Sequence, residues 1–84
     1  MQVNAMENEL RMKPGDVVRH FKGKRYEILC FAKDSETQET LVVYRALYGE
    51  RDVWVRPKEM FFSEVDRRKY PDAGQTYRFE RAED

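Results

Sequence analysis

Cys30 and His20 are the chain's only cysteine and only histidine. A thiol activated by an imidazole is therefore the one nucleophile–base pair the sequence offers. Geometry argues against it. The two residues fall on neighbouring short strands, Val17 to His20 and Arg25 to Ala32, which reverse at Lys22-Gly23. An even-length turn there sets His20 opposite Arg25 and Val18 opposite Glu27, and brings Cys30 near Gly15. Thiol and imidazole are then about 16 Å apart along the ladder, on opposite faces. Cys30 reads instead as a small core residue. One cysteine forms no internal disulfide and no cysteine cluster for zinc.

Other catalytic and ligand chemistries fare no better. Asp34, Glu36 and Glu39 offer oxygen ligands to a hard cation, but they lie in a polar connector without an ordered calcium-binding pattern. A solvated loop is the expected reading. Gly23-Lys24 is followed by Arg25 rather than Ser or Thr, so there is no phosphate-cradling loop. No metal and no cofactor are expected, and the protein reads as non-enzymatic.

Two groups of residues remain as candidate binding surfaces. Arg19, Lys22, Lys24 and Arg25, with His20 and Phe21 among them, form a basic cluster free of acids. Such a cluster, joined by Lys58, suits a phosphate backbone with an aromatic stacking on a base. It equally suits a charged hairpin tip that keeps a sheet edge soluble. The second group lies in Leu41 to Tyr48 and Val53 to Pro57, two β-branched and aromatic runs around Gly49-Glu50-Arg51-Asp52. That is the pattern of an antiparallel hairpin.

A four-residue loop at Gly49 to Asp52 puts Tyr48 opposite Val53, Leu47 opposite Trp54 and Arg45 opposite Arg56. Val42, Tyr44, Ala46, Tyr48, Val53 and Val55 then face the core. Val43, Arg45, Leu47, Trp54 and Arg56 face out. Two opposed arginines repel one another, so an anion should relieve them. Glu27 or Glu59 would do so internally, and a bound carboxylate or phosphate externally. Tryptophan beside arginine is also what protein-binding hot spots favour.

The elements that must hold these residues follow from the rest of the pattern. Residues 1–13 read as a loosely attached arm with few apolar positions, and Pro14-Gly15-Asp16 as the turn that starts the domain. Pro57 ends the fourth strand. Lys58 to Phe62 reads as a helical turn presenting Met60 and Phe61 or Phe62 to the core. Ser63 to Thr76 reads as a mobile loop, Tyr77 to Arg81 as a closing strand, and 82–84 as a tail.

Eighty-four residues make one domain, here 14–81, near the lower size limit for a self-sufficient core. Five short strands in so small a chain bury most by curling one sheet onto itself. The expected fold is thus all-β, a small SH3-like barrel or roll of about five antiparallel strands with one short helical turn. Sixteen basic and sixteen acidic side chains cancel, which disfavours a dedicated nucleic-acid or membrane-surface binder. No apolar run approaches the roughly 20 residues a bilayer requires, and Met1 to Met12 is too polar for a secretory signal. Cytoplasm is the expected compartment.

Several spaced words also resemble one family. Pro14 to Lys24, Tyr26 to Leu29, Ser35 to Thr37, Leu41 to Gly49, Trp54 to Pro57 and Glu59 to Phe61 are similar to the bacterial family of unknown function designated DUF1653. The resemblance covers roughly Pro14 to Val65, with an echo at Arg78-Phe79. It implies an SH3-like barrel and no activity. The stretch from Arg67 to Thr76 is longer and more basic than the family's usual connection.

The reading that results is a binding module for a protein segment that carries an acidic group. Trp54, Arg45, Arg56 and Leu47 form its contact surface. The alternative is a nucleic-acid-binding barrel using Arg19, Lys22, Lys24 and Arg25.

Overall fold

The computed structural model describes residues 5–82. A helix α1, Ala5–Leu10, precedes strands β1, Val17–His20, β2, Arg25–Lys33, β3, Thr40–Ala46, and β4, Val53–Pro57. A one-turn helix α2, Lys58–Phe61, and strand β5, Phe79–Arg81, complete the chain. All five strands join one antiparallel sheet in the order β4-β3-β2-β1-β5. The class is all-β, as the strand pattern predicts. Among the described residues no helix is long and apolar enough to cross a membrane.

The sheet curls until its two edges meet across the core. The guanidinium of Arg56 on β4 lies 5.8 Å from the ring centre of Phe79 on β5. Val18, Ile28, Val42, Tyr44, Phe61, Phe62 and Phe79 fill the interior. Phe61 and Phe79 stack at 4.1 Å, and Tyr44 meets both edge-on. Few positions thereby bury a large area. Met60, expected inside, is exposed: α2 turns Phe61 and Phe62 inward and leaves no third inward position.

Three registers differ from expectation, each for a local reason. In the first hairpin Val18 pairs with Tyr26 and Arg19 with Arg25. The loop is Phe21 to Gly23, closed by the His20 N–H on Lys24 O at 2.8 Å and the Gly23 N–H on His20 O at 2.7 Å. Gly23 at φ 105° makes this odd-length loop possible. Phe21 leaves the ladder because its N–H donates to Arg78 O and its ring packs on Tyr70.

On β2, Ile28 pairs with Tyr44 but Cys30 with Val43, so Leu29 is the extra residue of a bulge. Cys30 is thereby turned out to solvent instead of sitting in the core.

In the central hairpin Arg45 stands opposite Val53, Tyr44 opposite Trp54 and Val42 opposite Arg56. The Ala46 N–H donates to Asp52 O, leaving a loop of Leu47 to Arg51 rather than Gly49 to Asp52. Tyr48 is held elsewhere: its hydroxyl lies 2.8 Å from that of Tyr26, and the Leu47 N–H donates to Arg25 O. The shift is odd, so every β4 side chain changes face. Val53 and Val55 lie outside and exposed, while Trp54 and Arg56 share the side of Val42 and Tyr44.

The flanking segments are fastened. Asn8 is buried, with its amide donating to Phe79 O at 3.1 Å, and Met12 joins the core. Residues from Asn8 to Lys13 are thus docked rather than loosely attached. Residues 1–4 of the arm and 83–84 of the tail lie outside the described residues. The loop after α2 is likewise tied down. Val65 and Gln75 are buried, Glu64 bridges Tyr77, and Arg67 donates to Ala73 O and Gln75 O.

Candidate functional site

The gap between the two sheet edges forms a cleft of about 280 Å³, lined by His20, Phe21, Lys22, Arg56, Asp66, Lys69, Tyr70 and Arg78. Five of these are basic side chain types and one is acidic. β4 supplies Arg56, the first hairpin supplies His20 and Lys22, and the chain entering β5 supplies Arg78. The loop after α2 supplies Lys69 and Tyr70.

Arg56 arrives there because the three-residue register shift turns it inward, where Phe79 supports its guanidinium face. Arg78 is placed by its own backbone. Its N–H donates to Ser63 O at 2.8 Å, and its carbonyl accepts from Phe21. Gln75 steadies the same turn, since its buried amide donates to Arg19 O and Tyr77 O.

Neither arginine makes an ion pair among the described residues. Asp66 commits one carboxylate oxygen to the Arg68 N–H. The cations consequently act on each other. Burial and the nearby Arg56 both disfavour the charged form of Arg78. His20 is driven from 6.5 to about 4, first by burial and then by Arg56, Arg78 and Lys22. Its ring is therefore neutral at physiological pH. Its Nδ1 accepts the Lys22 N–H at 3.1 Å, which leaves the proton on Nε2 as a fixed donor.

A second hollow of about 360 Å³ shares the wall of Phe21, Lys22, Lys69 and Tyr70 and continues to Pro71, Asp72 and Ala73. The Lys22 ammonium spans the two, 5.1 Å from the Tyr70 ring centre. Apolar atoms dominate this slot, whereas the cleft beside it is polar. A ligand reaching both would carry an anionic group next to an apolar one.

The residues singled out in the sequence are divided by the structure. Arg56 enters the cleft. Trp54 stays half exposed two residues away on the same strand. Arg45 lies on the opposite side of β3, directly across from Glu27, and Leu47 falls in the loop that follows the strand. That register sets opposite charges across the β2–β3 ladder. The expected Arg45–Arg56 pair does not exist, and Arg56 meets Arg78 instead.

Of the basic hairpin residues, Lys22 enters the cleft while Lys24 lies over the Tyr48 ring at 4.8 Å. Arg19 donates to Gln75 Oε1 at 3.2 Å and faces Glu80 across β5. Arg25 is likewise engaged. Lys58 pairs with Glu9 at 3.2 Å. Asp34 turns its carboxylate onto the N–H groups of Glu36 and Thr37, which holds it below the usual carboxylate range.

Sequence reasoning missed Arg78, Lys69 and Tyr70. Arg78 alternates with Tyr77 and Phe79, so it reads as the solvent side of a strand. Nothing local announces that the opposite sheet edge closes over it.

A family model described as a protein of unknown function, DUF1653, matches residues 16–81. The chain is similar to the crystal structure of a DUF1653 protein from Bordetella bronchiseptica. The two share 34% identity and a TM-score of 0.68, over 86% of this chain and 88% of that one. A comparison with curated proteins finds no match.

Proposed function

The chain belongs to the DUF1653 family of proteins of unknown function, and from that premise we propose that it is a non-enzymatic binding module for a protein segment bearing an anionic side chain. The anionic group enters the cleft between Arg56 and Arg78, with Lys22, Lys69 and the Nε2–H of His20 around it. An apolar neighbour in the segment occupies the slot beside Tyr70 and Pro71.

One observation carries this reading: two half-buried guanidinium groups share a cleft without a carboxylate paired to either. Gathering like charges in a partly desolvated gap costs stability unless an anion completes the site. Forked arginine donors suit a carboxylate or phosphate in particular. A binding role rather than catalysis fits the positions of Cys30, on the outer face beside Val43, and His20, in the cleft.

The nucleic-acid reading keeps one supporting feature, the placement of Lys22 and Lys24 over tyrosine rings. Its cations are otherwise dispersed, since Arg19 and Arg25 are occupied.

Calorimetric titration with inorganic phosphate and with phenyl phosphate tests the proposal. Saturable binding is expected for both, tighter for phenyl phosphate, and weakened at least about tenfold by Arg78→Met. A labelled oligothymidylate that binds more tightly than phenyl phosphate, with a steep salt dependence, would favour the nucleic-acid reading. Failure of both phosphates to bind would remove the cleft as a site.

A further inference from the structure

β4 ends the sheet, and its outer side has no neighbour among the described residues. Its side chains are unusually apolar for such a position: Val53, Trp54 and Val55 are 49%, 51% and 61% exposed. Natural edges are normally shortened, charged or covered, because a bare apolar edge invites another strand. The other edge, β5, spans only Phe79–Arg81 and ends on an exposed arginine. β4 is the edge left open.

The ladder decides which backbone groups are available. The Ala46 N–H donates to Asp52 O, so Ala46 and Asp52 form a hydrogen-bonded pair. Alternation makes Tyr44–Trp54 and Val42–Arg56 the next two such pairs. Val53, Val55 and Pro57 therefore aim their backbone groups outward. Proline sits where its missing N–H is not needed by the sheet.

We infer that a second copy of this chain pairs antiparallel with β4, Trp54 opposite Trp54 across a two-fold axis. That register sets Val53 opposite Val55 of the other copy, and each pair exchanges both backbone bonds. It also sets Asp52 opposite Arg56 and Arg56 opposite Asp52, so both ends carry opposite charges. Asp52, Trp54 and Arg56 share one side of the strand, which lets these pairs meet.

The neighbouring symmetric registers are poorer. Centring on Val55 sets Val53 against Pro57, which has no donor. Centring on Val53 sets Val55 against Arg51, whose φ of 58° lies outside the strand conformation. The self-complementary charge pattern is the reason to name a second copy rather than an unrelated peptide. Five residues a side make a small interface, so a weak, concentration-dependent association is expected. The inference shares only Arg56 with the anion cleft: pairing with Asp52 of the other copy turns that guanidinium from the Phe79 ring toward the sheet edge, whereas Asp52, Val53, Trp54 and Val55 lie outside the cleft and Arg78, His20, Lys22 and Lys69 take no part.

Analytical ultracentrifugation from about 10 µM to about 1 mM, concentrations chosen for a weak association across a small interface, reads the outcome. Wild type is expected to shift from one mass to two. Asp52→Arg and Arg56→Asp each place like charges opposite one another and should weaken the dimer at least about tenfold. An equimolar mixture of the two variants restores both opposite-charge pairs and should form a heterodimer of near wild-type strength. Val55→Pro removes an outward donor without touching the β3–β4 ladder. It should be monomeric with an unchanged circular dichroism spectrum, which keeps the test decisive if a charge variant fails to fold. A wild type that stays monomeric throughout, a mixture that does not associate, or a folded Val55→Pro dimer of undiminished strength would each overturn the inference.

Discussion

Arg56 and Arg78 line one cleft from opposite edges of the sheet, and among the described residues neither forms an ion pair. Each raises the electrostatic cost of the other, and together with burial they hold His20 neutral. A charge arrangement of this kind serves binding better than stability.

Replacing Arg56 by Met is accordingly expected to separate the two properties. The methionine keeps apolar contact with Phe79 and removes one of the repelling charges. Thermal stability should change by no more than about 1 kcal/mol, while phosphate binding falls at least about tenfold. Calorimetry of unfolding and of binding on the same sample checks both.

His20 makes folding sensitive to mild acid. The unfolded chain takes up its imidazole proton near 6.5, the folded chain only near 4. Between those values the unfolded state binds more protons, so stability falls as pH drops from 6.5 to 4. Its contribution is complete above 6.5 and gone below 4. With the ring partly solvated, the loss is on the order of 1 kcal/mol. Denaturant unfolding across this pH range, for wild type and His20→Gln, checks it; the variant should show a flatter profile.

Gln75 anchors the loop that delivers Arg78. Its buried amide donates to two carbonyls and accepts from Arg19. Gln75→Ala removes the side-chain donor to both carbonyls and the acceptor of Arg19, an expected cost of about 1–3 kcal/mol. The midpoint of thermal unfolding should fall by roughly 4–8 °C per kcal/mol for a domain of this size. Unchanged stability would mean that the loop is not held by this residue.

The bulge at Leu29 gives Cys30 no packing role. Cys30→Ser should alter stability by less than about 0.5 kcal/mol. The native thiol should react with an uncharged disulfide reagent without prior unfolding. A thiol that reacts only after denaturation would put Cys30 back in the core.

Strand positions were readable in the sequence because alternation and breaker residues act locally. Val17–His20 and Val53–Pro57 match expectation to the residue. Registers were not readable, because each depends on a contact far along the chain. Phe21 is drawn out of its ladder by Tyr70 and Arg78, and Tyr48 by Tyr26. Leu29 carries no glycine or proline to announce its bulge. The candidate site inherits that limit. Repelling arginines in need of an anion were legible as a chemical theme, and Arg56 as one member. Its true neighbour lies on the far edge of the sheet, 22 residues on in sequence, and only the curl brings it near.

The central claim is that the cleft holds an anion, and the arginine side chains report on it directly. In a phosphate titration followed by two-dimensional NMR of the arginine Nε–H groups, Arg56 and Arg78 should shift together and saturate, with Arg45 unmoved. The His20 imidazole pKa should rise from about 4 as the bound charge offsets its neighbours. Arginine signals that move uniformly, or a His20 pKa indifferent to phosphate, would contradict the account.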